Sequence, residues 1–296
     1  MAEKSVAVIG LGIMGGAIAR NLLAADFAVS GFDVDPGKRR LLAGDGVGER
    51  ISAANAARDA EIALTSLPSV AALEATVTDL LSQPRRGLIV IEASTLPIEA
   101  KQVAHDRLAA AGMTLLDCPL SGTGAQAVTR DLAVYASGDE AAFEKCRDAF
   151  AGFARVSHYL GAFGNGSRMK FVANLLVAVH NAAAAEAIVL GVKAGLDAER
   201  ILEVIGSGAG TSRIFELRGP MMAKGVYTPP TATMHVLQKD SAIIAEFART
   251  LGVDTPLLAA AAPLYDEADA LGYGGEDVGA VHAVLARRAG LTQKKS

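Results

Sequence analysis

The sequence predicts an α/β fold in which a doubly wound parallel sheet is followed by an all-α domain. Short, apolar, β-branched strand patterns alternate with helical patterns as far as Leu160, and only helical patterns follow. A chain of 296 residues with 51% hydrophobic content is long enough to fill two cores. We therefore predict one domain over residues 1–162 and a second over residues 163–296, joined by a long interdomain helix.

Composition and charge argue against several classes of protein. A net charge of −4 gives no electrostatic footprint for nucleic acid. Cys118 and Cys146 come without a secretory signal, which predicts a reducing, cytoplasmic setting. The most apolar run, residues 171–185, contains two asparagines and a histidine, so we expect no membrane span. We see no His/Cys/Asp cluster with ligand spacing, so no metal is expected.

The first element is a buried strand, Ser5 to Ile9, and a glycine-rich turn follows it directly. The turn reads Gly10-Leu11-Gly12-Ile13-Met14-Gly15, a helical pattern continues to about Ala25, and a second strand, Ala28 to Phe32, is followed by Asp33. Such a turn lets backbone N–H groups at the helix start approach a pyrophosphate. The sequence therefore predicts a Rossmann-type dinucleotide site, the alternative being a glycine-rich turn without a ligand.

Asp33 bears on the choice of dinucleotide. A carboxylate at this position can accept hydrogen bonds from the adenosine ribose and would repel a 2′-phosphate, which favours NAD over NADP. Lys38, Arg39 and Arg40 follow on a helix that Pro36 should start, and they are either a solvated basic face or partners for that phosphate. We predict NAD, with NADP as the alternative.

The remaining elements of the first domain keep the same alternation. Polar or small residues follow three strands at the edge where a doubly wound sheet binds its ligand. Leu67-Pro68 and Thr95 are expected to face the cofactor, although Pro68 is also a strand terminator and Thr95 also suits a helix cap. Ser121-Gly122-Thr123 is either a carboxylate-binding loop or an ordinary tight turn. The predicted elements are a helix through Leu42, a helix over 53–58, strands over 62–67, 88–91, 113–117 and 132–136, a helix from Pro97, a helix over 139–150 and a short strand before Leu160.

The second domain opens with Gly164-Asn165-Gly166, and one long helix should follow to about Gly195. Lys170, Asn174 and Asn181 share one face of this helix at 100° per residue. Lys170 is therefore either a group lining a cleft or a surface lysine on a core helix. Further helices are predicted over 198–206, 211–223, 233–251, 257–271 and 277–288.

Taken together, these motifs resemble the β-hydroxyacid dehydrogenase family, which includes 3-hydroxyisobutyrate dehydrogenase and tartronate semialdehyde reductase. The marks are the glycine turn, Leu67-Pro68, Ser94-Thr95, the stretch from Asp117 to Thr123, Gly164 to Asn174, and Lys239-Asp240. The resemblance implies that Lys170 is the catalytic acid/base, assisted by Asn174. It also implies that Ser121, Gly122 and Thr123 hold the substrate carboxylate and that Lys239 lies by the nicotinamide. Thr123 stands where a second glycine is usual, which puts contacts in that loop in doubt.

Within the family, the run from Asn174 to Ala187 and the stretch from Phe215 to Pro220 look like L-threonate dehydrogenases acting on four-carbon sugar acids. Met234 to Gln238 departs from the pattern expected there, so a 3-hydroxyisobutyrate or tartronate semialdehyde reductase using NADP is the alternative. His180 is a core or interface histidine, or part of the site. Arg213 and Arg218 are anion partners or surface ion pairs.

Two other functions are compatible with this architecture. An imine-reducing enzyme would usually lack the lysine at 170, and a non-catalytic dinucleotide sensor would not need Lys170 and Asn174. The expected partners are a small-molecule hydroxy acid and further copies of the chain, as a homodimer or homotetramer.

Overall fold

The computed structural model describes residues 4–291. Its first unit is built on a parallel sheet of six strands in the order β3-β2-β1-β4-β5-β6. Their bounds are β1 Ser5–Ile9, β2 Ala28–Phe32, β3 Gly48–Glu49, β4 Ile62–Thr65, β5 Ile89–Glu92 and β6 Thr114–Asp117. The order reverses between β1 and β4, and in such sheets the ligand crevice lies at this point, beyond the carboxyl ends of the strands.

Helices cover this sheet and leave two buried apolar clusters. One cluster includes Ile18 and Leu22 of the first helix, and the other includes Leu73 and Leu108 of later helices. Because a parallel sheet is apolar on both faces, helices on both sides are needed to bury it. The helices are α1 Ile13–Leu23, α2 Pro36–Gly44, α3 Ala53–Ala57, α4 Val70–Ser82, α5 Ile98–Ala110, α6 Gly124–Val128, α7 Glu140–Lys145 and α8 Arg147–Phe153.

A second, three-stranded sheet completes the first unit. It consists of β7 Leu120–Ser121, β8 Ala133–Ala136 and β9 Val156–Tyr159, with β7 antiparallel and β9 parallel to β8. A bridge between Asp117 and Ser137 joins the end of β6 to the end of β8. This bridge brings two polar side chains from different sheets together.

The chain divides into two compact units between Lys170 and Phe171. The second unit is helical throughout the part that the structure describes. Its helices are α9 Asn165–Lys193, which begins in the first unit, α10 Ala198–Gly206, α11 Arg213–Lys224, α12 Met234–Thr250, α13 Pro256–Ala268 and α14 Val281–Arg288, with a π turn over Asp269–Tyr273 and a 3₁₀ turn over Val278–Ala280. The predicted domain boundary after residue 162 stays a prediction.

The helix α9 is long and apolar enough to cross a membrane by length and composition, and 39% of its most apolar window is buried. Hydrogen bonds show its place in the second unit. Asn181 donates to the carbonyl of Val278, and the hydroxyl of Tyr265 donates to the carbonyl of Ala178. The two residues of α9 in these contacts, Asn181 and Ala178, are each 0% exposed. These two contacts are those of a helix packed against other helices of its unit.

The predicted fold class is confirmed, and the local differences have physical reasons. The helix predicted over 139–150 is two helices, which meet at Cys146, where the backbone opens to a φ of −89° and a ψ of −3°. The helix predicted to Leu271 ends at Ala268, before Gly272 adopts a φ of +93°. The patterns in the sequence predicted no element at α4, α6, β3 or β7.

Candidate active site

The glycine turn after β1 has the geometry that a dinucleotide site requires. A Cβ on Gly10, whose φ is +89°, would lie 2.2 Å from the carbonyl oxygen of Ser66, and one on Gly15 would lie 1.8 Å from that of Gly10. Gly10 therefore lets the turn approach the residue that follows β4, and Gly15 lets α1 pack directly on the turn. A Cβ on Gly12 would meet no atom of the chain within 4 Å, so the space above Gly12 is open.

The start of α1 is arranged to receive an anion. Its N-cap is Gly12, which offers no side-chain acceptor, and its first turn carries no acidic residue. By contrast, side chains cap α2, α3 and α4 through Asp35, Ser52 and Ser69. An uncapped helix start presents backbone N–H groups and the positive end of the helix dipole. The residues present therefore fit a bound pyrophosphate.

Asp33 follows β2 and is 7% exposed. Its Oδ2 accepts a hydrogen bond from the N–H of Leu11 at 2.8 Å, and its Oδ1 accepts one from the N–H of Asp35 at 2.9 Å. The carboxylate is thus locked against the glycine turn. Lys38 lies 3.7 Å from Oδ2 with its side chain half-exposed, and Arg39 donates to the backbone carbonyl of Asp33 at 2.7 Å. Arg39 also pairs with Glu49, so it is bound to the sheet and is less available to a ligand than Lys38.

The carboxyl ends of β4 and β5 are linked through a serine. The hydroxyl of Ser94 accepts a hydrogen bond from the N–H of Leu67 at 2.8 Å, which fixes the Leu67-Pro68 segment beside the end of β5. The cap of α5 is Pro97, so Thr95 does not serve as its N-cap. Ser94 was quoted in the sequence motif without a role, and its contact depends on the pairing of β4 with β5.

The predicted carboxylate loop is part strand and part helix cap. Ser121 ends β7, and Gly122 has a φ of +141° with no room for a Cβ, which would lie 2.5 Å from Leu132. Thr123 caps α6, and its own N–H donates to Oε1 of Gln126 at 3.0 Å. The polar groups of Thr123 are therefore engaged within the chain, whereas Ser121 is half-buried at the strand end.

Lys170 and Asn174 lie one turn apart on α9 and are 8% and 7% exposed. Lys170 is therefore not a surface lysine. In the second unit, the amide of Asn174 donates to Oδ2 of Asp240 at 2.8 Å, and Lys239 lies 3.0 Å from Oδ1 of Asp240. Asp240 thus joins two of the predicted site residues. The Lys239-Asp240 motif by itself indicates no role for Asp240, because the contact of Asp240 with Asn174 depends on the packing of α9 with α12.

The two arginines have different surroundings. Arg218 is 3% exposed and donates to Oδ1 of Asp277 at 2.9 Å, so the expectation of a surface ion pair is wrong for it. Arg213 forms the expected exposed pair with Glu216, one turn along α11. His180 is half-buried on α9. Within residues 4–291 there is no group of three His, Cys, Asp or Glu side chains that could hold a metal ion.

Two family models together match most of the chain. Residues 5–161 match the NAD binding domain of 6-phosphogluconate dehydrogenase, and residues 164–285 match the NAD-binding domain of NADP-dependent 3-hydroxyisobutyrate dehydrogenase. The chain belongs to the β-hydroxyacid dehydrogenase family. As a member of this family it is an NAD(P)-dependent hydroxyacid dehydrogenase.

Individual relatives agree with this membership. L-threonate dehydrogenase of Cupriavidus necator is 35% identical over 283 residues, which cover 94% of this chain and 95% of that one. The crystal structure of 3-hydroxyisobutyrate dehydrogenase from Salmonella typhimurium has a TM-score of 0.87 and 30% identity, and covers 95% of this chain and 100% of that chain. The structure of a Mycobacterium tuberculosis 3-hydroxyisobutyrate dehydrogenase with L-serine has a TM-score of 0.86 and 29% identity. The match covers 96% of this chain and 99% of that chain.

Proposed function

We propose that this dehydrogenase oxidises the hydroxyl group of a small 3-hydroxy acid with NAD, using Lys170 as general base and, in the reverse direction, as general acid. The observation that carries the proposal is the placement of Lys170. It is a buried amine on the first turns of α9, one turn before Asn174, whose orientation is fixed by Asp240. An amine at this position, one turn from an oriented amide, can act as a base towards a substrate hydroxyl.

The path of the proton follows from these positions. Neutral Lys170 takes the proton of the substrate hydroxyl while the C–H bond of the carbon that carries this hydroxyl breaks, and Lys170 becomes an ammonium. Asn174 can donate a hydrogen bond to the same oxygen only if its amide is held in place, and its contact with Asp240 holds it. Bound NAD would supply the electrophilic ring that accepts the hydride. In the reverse direction the ammonium returns the proton to the alkoxide.

The substrate carboxylate is proposed to lie at the end of β7. Ser121 and the backbone of Gly122 are the donors, and Thr123 contributes less than the family pattern implies because its N–H and hydroxyl are bonded to Gln126. The turn from Gly10 to Gly15 would hold the pyrophosphate, with Asp33 on the ribose. The residues proposed to face the nicotinamide end of the cofactor are Leu67, Pro68, Thr95 and Lys239.

NAD is favoured because Asp33 is fixed by two backbone donors and cannot turn away from a 2′-phosphate. A four-carbon sugar acid such as L-threonate is favoured as substrate because the L-threonate dehydrogenase of C. necator is similar over nearly the whole chain. The alternative is a 3-hydroxyisobutyrate or tartronate semialdehyde type reductase using NADP. The NADP-dependent family described for residues 164–285 favours that alternative.

The experiment replaces Lys170 with Ala and measures turnover and NADH binding separately. We expect turnover of the preferred hydroxy acid to fall by about 10³-fold or more, since general-base catalysis contributes about 10²- to 10⁴-fold, with NADH affinity retained. Oxidation by NAD and by NADP is followed at the NADH absorbance band with L-threonate, 3-hydroxyisobutyrate, glycerate and L-serine. Turnover retained in the variant would refute the role of Lys170, and NADH binding without turnover of any hydroxy acid by the wild-type chain would favour the dinucleotide sensor.

We further propose a cytoplasmic homodimer or homotetramer. Met169, Val172 and Leu176 follow one another at helical spacing on α9 and are 44–58% exposed. Such an apolar stripe favours contact with another copy of the chain. Light scattering during size-exclusion chromatography would measure the subunit number, and a monomer at micromolar concentration would contradict the proposal.

A further inference from the structure

A group of buried charges lies below the first turn of α9, entirely within the first unit. Lys101 of α5 is 0% exposed, and its Nζ lies 2.6 Å from Oε2 of Glu92, 2.8 Å from Oδ1 of Asp117 and 2.6 Å from the carbonyl oxygen of Ser94. Burial alone would lower the pKa of Lys101, but the attraction of Asp117 and Glu92 outweighs it and raises the pKa above its usual value. Lys101 is therefore a buried ammonium, and the mechanism proposed above does not use it.

Lys101 faces two carboxyl groups that are each 0% exposed. A buried carboxyl group is stabilised by hydrogen-bond donors and by positive charge on the sides that the cation does not reach. The start of α9 supplies such donors to Asp117. The N–H of Ser167 donates to Oδ2 of Asp117 at 2.7 Å, which places the positive end of a 29-residue helix against the carboxylate.

Asp117 is bonded on both of its oxygens. Oδ1 accepts from the hydroxyl of Ser167 at 2.7 Å as well as from Lys101, and Oδ2 accepts from the hydroxyl of Ser137 at 3.3 Å as well as from the N–H of Ser167. Ser137 in turn accepts from the N–H of Gly166 at 2.9 Å. Asp117 therefore has no freedom to rotate, and the helix start is tied to β6 and β8.

The close approach explains a glycine that the motif alone left unexplained. A Cβ on Gly166 would lie 2.2 Å from the carbonyl oxygen of Tyr135 and 2.6 Å from that of Asp117. Only glycine lets α9 begin in contact with both strands. The position of the first turn is thus set by backbone contact and by a charged hydrogen-bond network together.

We propose that Asp117, held by Lys101, is a positioning residue that fixes the height and rotation of the first turn of α9 and thereby places Lys170, which follows Ser167 by three residues. This inference rests on the proposed role of Lys170. A catalytic group must be held to within about 0.5 Å, and a displacement of about 1 Å can cost on the order of 10²-fold in rate. Lys101 acts through Asp117, and neither residue needs to touch the substrate.

The experiment compares Asp117→Asn and Ser167→Ala with the rescue variant Ser167→Thr, which keeps the hydroxyl. Tyr265→Phe is the matched control, because it also removes a buried hydrogen bond to α9, at Ala178, eight residues beyond Lys170. Each variant is assayed for kcat, KM, NADH affinity by NADH fluorescence, and thermal stability. Turnover is expressed per NADH-binding site, so that unfolded protein does not count.

We expect Asp117→Asn to lower kcat per site by about 10²-fold and Ser167→Ala by about tenfold, with NADH affinity changed less than about twofold. Ser167→Thr should restore most of the rate, and Tyr265→Phe should lower the melting temperature without lowering kcat per site. The decisive comparison places Asp117→Asn and Ser167→Ala in a Lys170→Ala background. A residue that acts through Lys170 should have little further effect there.

Three results would overturn the inference. They are an unchanged kcat per site in Ser167→Ala, a fall in stability alone in both variants, or a fall in kcat of the same size with and without Lys170. If Asp117→Asn fails to fold because Lys101 loses its partner, Ser167→Ala still decides, since it removes one hydroxyl group and leaves both Lys101 and Asp117 in place. Retained turnover in the single variant Lys170→Ala would refute the proposed function. Additive effects of Lys170→Ala with Asp117→Asn or Ser167→Ala would refute only the positioning role.

Discussion

Three glycines at the start of α1 differ in what a methyl group would meet, and this gives a test of the dinucleotide site. The changes are Gly12→Ala, Gly15→Ala and Gly16→Ala. At Gly15 the new Cβ would lie 1.8 Å from the carbonyl oxygen of Gly10, so α1 must move away by about 1.2 Å to reach even the shortest observed contacts near 3.0 Å. Overpacking of this kind costs about 1–3 kcal/mol in the free energy of unfolding. The shift also moves the N–H groups of the first turn, so NADH affinity should fall as well.

The other two positions separate folding from binding. At Gly12 the methyl group meets no atom of the chain within 4 Å, and the backbone, with φ −69° and ψ −162°, suits alanine. We expect a change of about 1 kcal/mol or less in stability but at least about a tenfold loss of NADH affinity, equivalent to about 1.4 kcal/mol, because the methyl group occupies the space proposed for the pyrophosphate. At Gly16 the nearest atom is 3.5 Å away, an ordinary contact, so Gly16→Ala should bind NADH normally and be as stable as the wild type or about 0.5–1 kcal/mol more stable.

The assay pairs urea unfolding, followed by circular dichroism, with NADH titration followed by fluorescence. The expected order of stability is Gly16→Ala, then Gly12→Ala, then Gly15→Ala, whereas NADH affinity should be lost in the last two only. If Gly12→Ala binds NADH within twofold of the wild type, the pyrophosphate does not lie over this turn. If Gly15→Ala unfolds at the wild-type urea concentration, the close contact between α1 and the turn is not what holds them together.

Three further predictions concern buried ionisable side chains. Asp33→Asn should lower the ratio of kcat/KM for NAD to that for NADP by about tenfold or more, because one negative charge beside the ribose site is removed; an unchanged ratio would show that Asp33 does not select the cofactor. Burial lowers the pKa of His282 from its usual value near 6.5 to about 4. Between these two pH values only the unfolded chain takes up the proton, so the free energy of unfolding falls as the pH drops, by about 2 kcal/mol at pH 5. His282→Gln should lose that part of the acid sensitivity in urea unfolding at pH 7 and pH 5, and an identical pH dependence would contradict the assignment. Asp277→Ala should cost about 3–5 kcal/mol because Arg218 is left buried without its partner, whereas Glu203→Ala at an exposed pair should cost under about 1 kcal/mol; equal losses in urea unfolding would refute this reasoning.

The dinucleotide unit was predictable because each of its parts answers a local need of the backbone. The bounds of β2 agree with the structure, Pro36 starts α2 after Asp35 as predicted, and Asp33 lies against the glycine turn. Strand, turn, helix and acid are consecutive in the chain, so no long-range contact is needed to recognise them. The same holds for the long helix after Gly164, whose apolar pattern continues for more than seven turns.

Contacts between distant segments were not predictable. Leu120-Ser121 forms a strand only because it pairs with residues 133 and 134, and Thr123 is bonded to a glutamine whose capping role the sequence pattern did not reveal. Lys101 has the sequence surroundings of an exposed helical lysine. Its burial depends on Glu92 and Asp117, which lie on neighbouring strands whose pairing brings them together.

The sequence by itself determined the family, the class of reaction and the amine that we propose as the base, because these depend on short motifs whose residues act near where they stand in the chain. Only the tertiary structure decided which groups meet the start of the helix that carries that amine. Asp117, Ser137 and Ser167 meet because two sheets and a helix end converge, and Asp240 reaches Asn174 because two helices pack. The physical reason is that hydrogen bonds and ion pairs depend on distances of a few ångströms in space, which separation along the chain does not reveal.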